Sequence, residues 1–220
     1  MIFTQEHDSI RKTVSQFIDK EINPYCNQWE KDGIFPAHDL FKKMGDLGLL
    51  GINKPVEFGG LGLDYSYQIV FTEELGRIRS GGVSMAIGEK YLSKAISGEA
   101  VFSIAVSEPH AGSDVAAIKT KAVKDGDDYI INGSKMWITN ATQADYLCVL
   151  LNTEGDNPHK NKSMVIVPTN LPGVSFSEKL DKLGMRSSDT AQVFFDSVRV
   201  PQANLVGEEG MGFIYQMEQF

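Results

Sequence analysis

The sequence has little that would place it in a membrane or on nucleic acid. None of its apolar runs approaches the roughly 20 residues that a membrane-spanning helix needs. Its 21 lysines and arginines are outnumbered by 29 aspartates and glutamates, and the net charge of -8 argues against a polyphosphate partner. Apolar residues make up 42% of the 220-residue chain, enough to build the core of one large or two small domains.

Cysteine is also scarce. Cys26 and Cys148 stand far apart and lack Cys-x-x-Cys spacing. The simpler interpretation is two buried free thiols in a reducing compartment, with a single disulfide between them as the alternative. No metal site is expected. The start, MIFTQEHDSIRKTVSQF, has neither the apolar core of a signal peptide nor the arginine- and serine-rich, acid-poor composition of a transit peptide. An organellar address would have been removed or would lie outside this chain.

The first hundred residues have helical periodicity. Apolar side chains recur at three- and four-residue steps between a candidate N-cap at Thr4 and Pro24, and again after Pro36 and after Asp64. The glycine-rich stretch EFGGLGLD could cradle a phosphate, but no strand precedes it, and a helix-to-helix turn is the favoured interpretation. The pattern predicts an all-α region over residues 1–100.

From Val101 the apolar period changes to two. Eight short β-rich runs with no helix between them predict an antiparallel barrel or sandwich over residues 101–205. Asp125-Gly126 and Asn132-Gly133 are the strongest hairpin signals, because glycine accepts the positive φ of tight turns. A new helical stripe starts near Gly210, so residues 206–220 are expected to begin a further helix. The predicted fold class is α+β.

The stretch VSEPHAGSDVAA, at 106–117, is too polar for a core strand and too rich in glycine for a helix. It is therefore predicted to be a shaped loop, which Pro109 stiffens and in which Gly112 lets the backbone approach a ligand. A local Ser/Asp turn that satisfies its own backbone is compatible with that role.

A second polar stretch, KLGMRSSDT, is assigned to structure. Arg186 could pair with Asp189 or with a distant carboxylate, while Ser187, Ser188 and Thr190 could tie down the turn. An arginine beside serines could also suit a phosphate. Shaping the edge of the β domain is the favoured role.

Three motifs in this order, SEPHAGSD, GSKMWITNA and KLGMRSSDTAQVFFDSVRVP, make nearly the whole chain resemble the acyl-CoA dehydrogenases. These are FAD enzymes that remove two hydrogens across Cα–Cβ of an acyl-CoA thioester. The resemblance implies FAD as cofactor, acyl-CoA as substrate in fatty-acid or branched-chain oxidation, an electron-transferring flavoprotein as partner, and a homo-oligomer. It also favours the mitochondrial matrix, or the cytoplasm if the protein is bacterial.

The resemblance also assigns the flavin contacts. Trp137, a broad flat surface, would flank the isoalloxazine and Thr139 would bond near its N5, although a barrel core residue and a β-former would look the same. Val106 and Ser107 would meet the pyrimidine end, and Ser113 would touch both FAD and acyl-CoA. The full set of expected cofactor-binding residues is Ala105, Val106, Ser107, Gly112, Ser113, Trp137, Ile138 and Thr139.

The same resemblance places the catalytic base, a glutamate, on a C-terminal helical domain that the sequence to Phe220 does not include. Glu108 is assigned to the framework of the loop, so no catalytic residue is predicted. Gly88 runs directly into Glu89 where the family has a further helix and loop, which suggests an internal deletion. We expect a truncated chain, inactive by itself. A non-catalytic isoform or interaction module without stable flavin binding, and the oxygen chemistry of related oxidases and monooxygenases, are the alternatives.

Overall fold

The chain forms two compact units. The computed structural model describes residues 3–80, 83, 96–155, 157 and 160–219. Unit 1 comprises Met1–Val101 and Asp181–Asp189, and unit 2 comprises Phe102–Leu180 and Thr190–Phe220. Helices precede a sheet, which confirms the α+β fold class. The suggested deletion at Gly88–Glu89 lies outside the described residues.

Unit 1 is built from helices whose apolar faces share one core. The backbone N–H of Thr4 donates to Nδ1 of His7 at 3.0 Å, so the first helix begins at the predicted cap. That helix continues as a π-helical turn over Ile18–Ile22, and the next one ends at Gly33, whose φ is 71°. In the described part of the chain, no helix is long and apolar enough to cross a bilayer. The helices are α1 (Gln5–Phe17), α2 (Cys26–Asp32), α3 (Ala37–Asp46) and α4 (Tyr65–Leu75).

The EFGGLGLD stretch connects α3 to α4, as the helix-to-helix interpretation predicted. A 3-10 turn at Val56–Phe58 overlaps its start, and the stretch then folds back on the preceding segment. The N–H of Leu61 donates to the carbonyl of Gly51 at 2.9 Å. A Cβ at Gly60 would lie 2.2 Å from the carbonyl oxygen of Lys54, so only glycine fits this close approach. These backbone contacts explain why the stretch is rich in glycine, and a phosphate site is not needed to explain it.

Glu30 on α2 holds the 181–189 segment within unit 1. Its carboxylate accepts hydrogen bonds from the hydroxyls of Ser80 and Ser187 at 2.5 and 2.8 Å and from the backbone N–H groups of Arg186 and Ser187 at 2.9 and 3.3 Å. Ser187 therefore ties down this turn, as predicted. The guanidinium of Arg186 pairs with Asp181, 2.5 Å away. Burial disfavours the Glu30 carboxylate, but the four donors outweigh it and lower its pKa.

We predict that Glu30→Gln lowers the free energy of unfolding of unit 1 by about 1–3 kcal/mol at neutral pH, because an amide offers one acceptor oxygen to four donors. Since the pKa of Glu30 is lower in the folded chain, its contribution is complete above about 4.5 and is lost as the pH falls through the folded-state value. Urea unfolding followed by Trp29 fluorescence in a Trp137→Phe background measures both effects.

The exposed Glu57 provides the matched control for that experiment. Glu57→Gln should leave stability within about 0.5 kcal/mol of the parent. Equal losses for the two variants, or a difference that persists unchanged in acid, would contradict the role assigned to Glu30.

Unit 2 is an open, mixed sheet. Its strands follow the order β6-β7-β3-β2-β4-β5-β8, with β1 beside β4. Most neighbours are antiparallel, as predicted, but β1 runs parallel to β4, and β2 meets β4 in parallel at Lys121 and Asn152. The sheet that was expected to form a barrel or sandwich is not closed. Its two parallel contacts were not predicted, because alternation along a strand does not encode pairing direction. The strands are β1 (Phe102–Ala105), β2 (Lys121–Asp125), β3 (Asp128–Thr139), β4 (Tyr146–Asn152), β5 (Lys162–Pro168), β6 (Val174–Phe176), β7 (Thr190–Pro201) and β8 (Leu205–Val206).

The two glycine turn signals have different outcomes. Gly126 lies in the β2–β3 hairpin with φ 61°, as predicted. Asn132-Gly133 is not a hairpin but an irregularity inside β3, where the pairing with β7 shifts between Ile131 and Gly133. A Cβ at Gly133, φ 141°, would lie 2.6 Å from Oγ1 of Thr120. The positive φ is real, but it serves a bulge and a close backbone approach.

The central strand β4 is buried on both faces, which explains its continuous apolar run. Leu147 and Val149 belong to one hydrophobic cluster of unit 2, and Cys148 and Leu150 to another. Cys148 and Cys26 are both free and buried, as the simpler interpretation predicted, and burial raises the pKa of Cys148 to about 12. A last helix, α5 (Gly212–Gln219), begins near the predicted position.

Candidate functional site

The VSEPHAGSD segment leaves β1 and closes on itself. The N–H of Glu108 donates to the carbonyl of Ala111 at 2.8 Å, and the N–H of Ala111 donates back at 3.1 Å. Pro109 and His110 lie exposed between them. The stretch is therefore a shaped loop, as predicted, and backbone atoms close it.

The Glu108 side chain anchors this loop from the inside. Only 4% of Glu108 is exposed, and its carboxylate accepts from the N–H groups of Lys119 and Thr120 at 2.7 and 2.9 Å. Nζ of Lys135, which is fully buried, donates to the same carboxylate at 2.9 Å and to the carbonyl of Val106 at 2.9 Å. One ammonium on β3 thus contacts the loop at two points.

Burial and pairing act against each other in this ion pair. Burial lowers the pKa of Lys135 to about 8, although the charge of Glu108 opposes the shift. Burial also disfavours the carboxylate of Glu108, but the charge of Lys135 and the hydrogen bonds outweigh it, so its pKa lies below the usual range. Both groups are therefore charged near neutral pH, in the interior of unit 2.

The end of β3 is irregular where the second motif lies. The pairing with β7 shifts between Lys135 and Ile138, and Trp137 takes a left-handed φ of 65°. Trp137 is 61% exposed, Ile138 is buried and Thr139 is half-buried. A left-handed backbone at a bulky residue costs on the order of 1–3 kcal/mol and is found preferentially at functional sites. An exposed indole in strained backbone is a poor core residue and a good ligand surface.

Two hydrogen bonds bring the predicted segments together. The N–H of Met136 donates to the carbonyl of Ser107 at 2.8 Å, and the hydroxyl of Ser103 on β1 donates to the carbonyl of Thr139. Ala105 is buried at the end of β1. The predicted residues Ala105, Val106, Ser107, Trp137, Ile138 and Thr139 therefore lie at joined ends of β1 and β3.

Gly112 and Ser113 lie beyond the closed loop and are exposed. Among the described residues, no hydrogen bond ties either of them to the end of β3. A Cβ at Gly112 would meet no atom of the described residues within 4 Å, so no close contact with them requires glycine there. Their assignment stays a prediction.

Sequence reasoning missed Lys135. It lies in the run KMWIT, where the alternation of a half-buried strand would place a lysine in solvent. The sequence offered one signal for a buried ion pair: a lysine lies two residues before Trp137, and the neighbouring motif contains the acidic residue Glu108.

The comparisons agree with this architecture. The acyl-CoA dehydrogenase N-terminal domain model matches residues 4–99, and the acyl-CoA dehydrogenase middle domain model matches residues 103–198. The two matches together cover most of the chain, which belongs to the acyl-CoA dehydrogenase family.

Individual relatives are similar over nearly all of this chain. Mitochondrial isovaleryl-CoA dehydrogenase from Pongo abelii is 38% identical over 231 residues, covering 95% of this chain and 54% of that protein. The acyl-CoA dehydrogenase structure from Geobacillus kaustophilus is 39% identical with a TM-score of 0.91, covering 99% of this chain and 62% of that one. The Bacillus anthracis acyl-CoA dehydrogenase complexed with FAD is 33% identical with a TM-score of 0.89, covering 98% and 40%. The chain spans about half the length of the curated relatives it matches.

We predict that Trp137→Asn changes the free energy of unfolding by no more than about 1 kcal/mol, because the indole is exposed and asparagine tolerates a left-handed backbone. The neighbouring Ile138→Ala should cost about 2–5 kcal/mol, because it empties a buried site. Urea unfolding followed by the β-sheet circular dichroism signal compares them. A comparable loss in both variants would make Trp137 a core residue.

Proposed function

We propose that this chain binds FAD and an acyl-CoA as the N-terminal and middle part of an acyl-CoA dehydrogenase. The observation that carries the proposal is the joining of Ser107 and Met136 at 2.8 Å, which brings the loop motif beside an exposed, strained Trp137. On this assignment residues 1–100 form the helical domain, 101–205 the middle domain, and 206–220 the start of a further helical region.

The polar atoms at the joined ends of β1 and β3 fit a flavin. In the described part of the chain, the hydroxyls of Ser107, Ser113 and Thr139 have no hydrogen-bond partner, so each is available to a ligand. A flat ligand with a polar edge needs one apolar wall and a few directed polar groups. The indole of Trp137 offers the wall, and the hydroxyls of Ser107 and Thr139 offer the polar groups.

On this proposal, each site residue contacts or supports a particular part of the cofactor. Trp137 flanks the flavin ring, Thr139 bonds near its N5 edge, and Val106 with Ser107 contacts the pyrimidine end. Ser113 contacts both FAD and the acyl-CoA. The buried Ala105 and Ile138 support the neighbouring contact residues, and Gly112, which has no Cβ, lets the cofactor approach the backbone. When bound, FAD would accept the hydride removed from Cβ of the substrate.

Removal of the Cα proton is a separate requirement, and Glu108 does not meet it. Its carboxylate is buried, accepts from two backbone N–H groups, and is paired with Lys135. A general base needs a free lone pair directed at the substrate. We propose that this chain alone does not dehydrogenate acyl-CoA.

The wider assignments rest on family membership. We propose a fatty or branched-chain acyl-CoA as substrate, an electron-transferring flavoprotein as electron acceptor, and a homo-oligomer as the working form. The mitochondrial matrix, or a bacterial cytoplasm, is the corresponding compartment.

Binding of FAD to the purified chain tests the cofactor assignment. We predict binding that Trp137→Ala weakens by about tenfold, because stacking on an aromatic ring contributes roughly 0.5–1.5 kcal/mol beyond the buried area. Fluorescence anisotropy of FAD titrated with protein gives the dissociation constants. Tyr65→Ala is the control, because Tyr65 is an aromatic residue of unit 1 with 69% exposure. A wild-type chain that folds without binding FAD would instead support the non-catalytic interaction module.

Anaerobic mixing of the FAD-loaded chain with acyl-CoAs of several lengths tests the activity. We predict no bleaching of the flavin band, since general-base catalysis contributes about 10²–10⁴-fold and no base is assigned. Dithionite should bleach the same sample, which shows that the flavin can be reduced. Bleaching by an acyl-CoA would contradict the prediction and direct the search for a base to the other glutamates, such as Glu208 and Glu209.

A further inference from the structure

Lys135 occupies a special place in the strand that carries the tryptophan. It is paired with Val193 of β7, and the pairing loses its regular register between this residue and Ile138. Trp137, in left-handed backbone, lies inside that irregular stretch. Lys135 is therefore the last regularly paired residue of β3 before the segment that the proposed flavin site uses.

The two bonds of its ammonium reach the other half of the same site. Nζ donates at 2.9 Å to the carbonyl of Val106, the residue that follows the end of β1, and at 2.9 Å to the carboxylate of Glu108. The backbone bond from Met136 to Ser107 lies between these two contacts. Lys135 and Met136 of β3 thus donate three hydrogen bonds to the three consecutive residues 106–108.

Fold stability alone does not explain a charge in this position. Removing two charges from water is costly, and apolar residues of similar volume often stabilise a protein as well as or better than a buried ion pair. An apolar side chain at position 135 could not donate a hydrogen bond to the carbonyl of Val106, as the ammonium of Lys135 does. The bond to Val106 is the informative contact, since it contributes nothing to neutralising the charge of Glu108.

We propose that Lys135 is a positioning residue, which fixes the 106–108 segment against the Trp137–Thr139 segment and so sets the shape of the flavin site. This role rests on the proposed function. Lys135 touches neither the ring nor the substrate on this assignment; it acts through Val106 and through the strand that leads to Trp137.

Two variants separate positioning from stability. In Glu108→Gln, Nζ of Lys135 keeps its bond to Val106 but loses its counter-charge, which lowers the pKa of Lys135 further and destabilises the fold. In Glu108→Gln/Lys135→Met, the buried charge is gone and stability is equal or higher, but the bond to Val106 is lost. We expect the double variant to bind FAD about tenfold or more weakly than Glu108→Gln, although it unfolds at the same or higher urea concentration. Affinity that follows stability in the two variants would overturn the proposal.

A measurement without FAD keeps the test independent of the proposed function. Hydrogen exchange at the amide of Met136, which donates to Ser107, should be about tenfold or more faster in the double variant than in Glu108→Gln. The amide of Ile131, earlier in β3 and buried, should exchange at the same rate or more slowly in the double variant, because that variant is equally or more stable. If the wild-type chain binds no FAD, the proposed function fails, and exchange alone decides the positioning role. Unchanged exchange at Met136 would overturn it.

Discussion

In unit 2, the buried pair of Lys135 and Glu108 joins the loop after β1 to β3. Each charge loses several kcal/mol of hydration when it leaves water. The structure offsets that loss by giving the carboxylate the N–H groups of Lys119 and Thr120 and giving the ammonium the carbonyl of Val106. Because these partners lie on different segments, the charges are satisfied only when the loop, the approach to β2 and the end of β3 are all in place.

The helical unit uses a carboxylate in a related way. Glu30 gathers two hydroxyls and two backbone N–H groups around the 181–189 segment, and like Glu108 it has a lowered pKa. The difference between the two is burial. Glu30 retains some contact with solvent, so neutral donors suffice, whereas Glu108 is almost fully enclosed and also needs the charge of an ammonium. Among the described residues, Glu30 and Glu108 thus each fasten a segment that lies outside the helices and strands.

The candidate site combines this support with an aromatic surface, the indole of Trp137, that is not buried in the core. Ala105 and Ile138 are buried, while the indole of Trp137 faces solvent from strained backbone. Strain persists where the surrounding contacts over-determine the backbone, and the bonds at Met136 and Thr139 flank the strained residue. Among the described residues, this partly exposed aromatic surface lies beside hydroxyls without a hydrogen-bond partner, an arrangement that suits a planar cofactor and supports the flavin site proposed here.

The sequence by itself determined the order of helices and strands, because apolar periods of 3.6 and 2 record which face each segment buries. Its motifs were specific enough to predict the family, and the N-cap at Thr4, the start of a helix near Asp64 and the turn at Gly126 were predicted correctly. Only the tertiary structure decided the parallel pairing of β1, the bulge at Gly133, and the burial of Lys135. Each of these depends on partners far away in the chain, such as Val106 for Lys135, and local periodicity carries no information about which distant group will satisfy a buried charge.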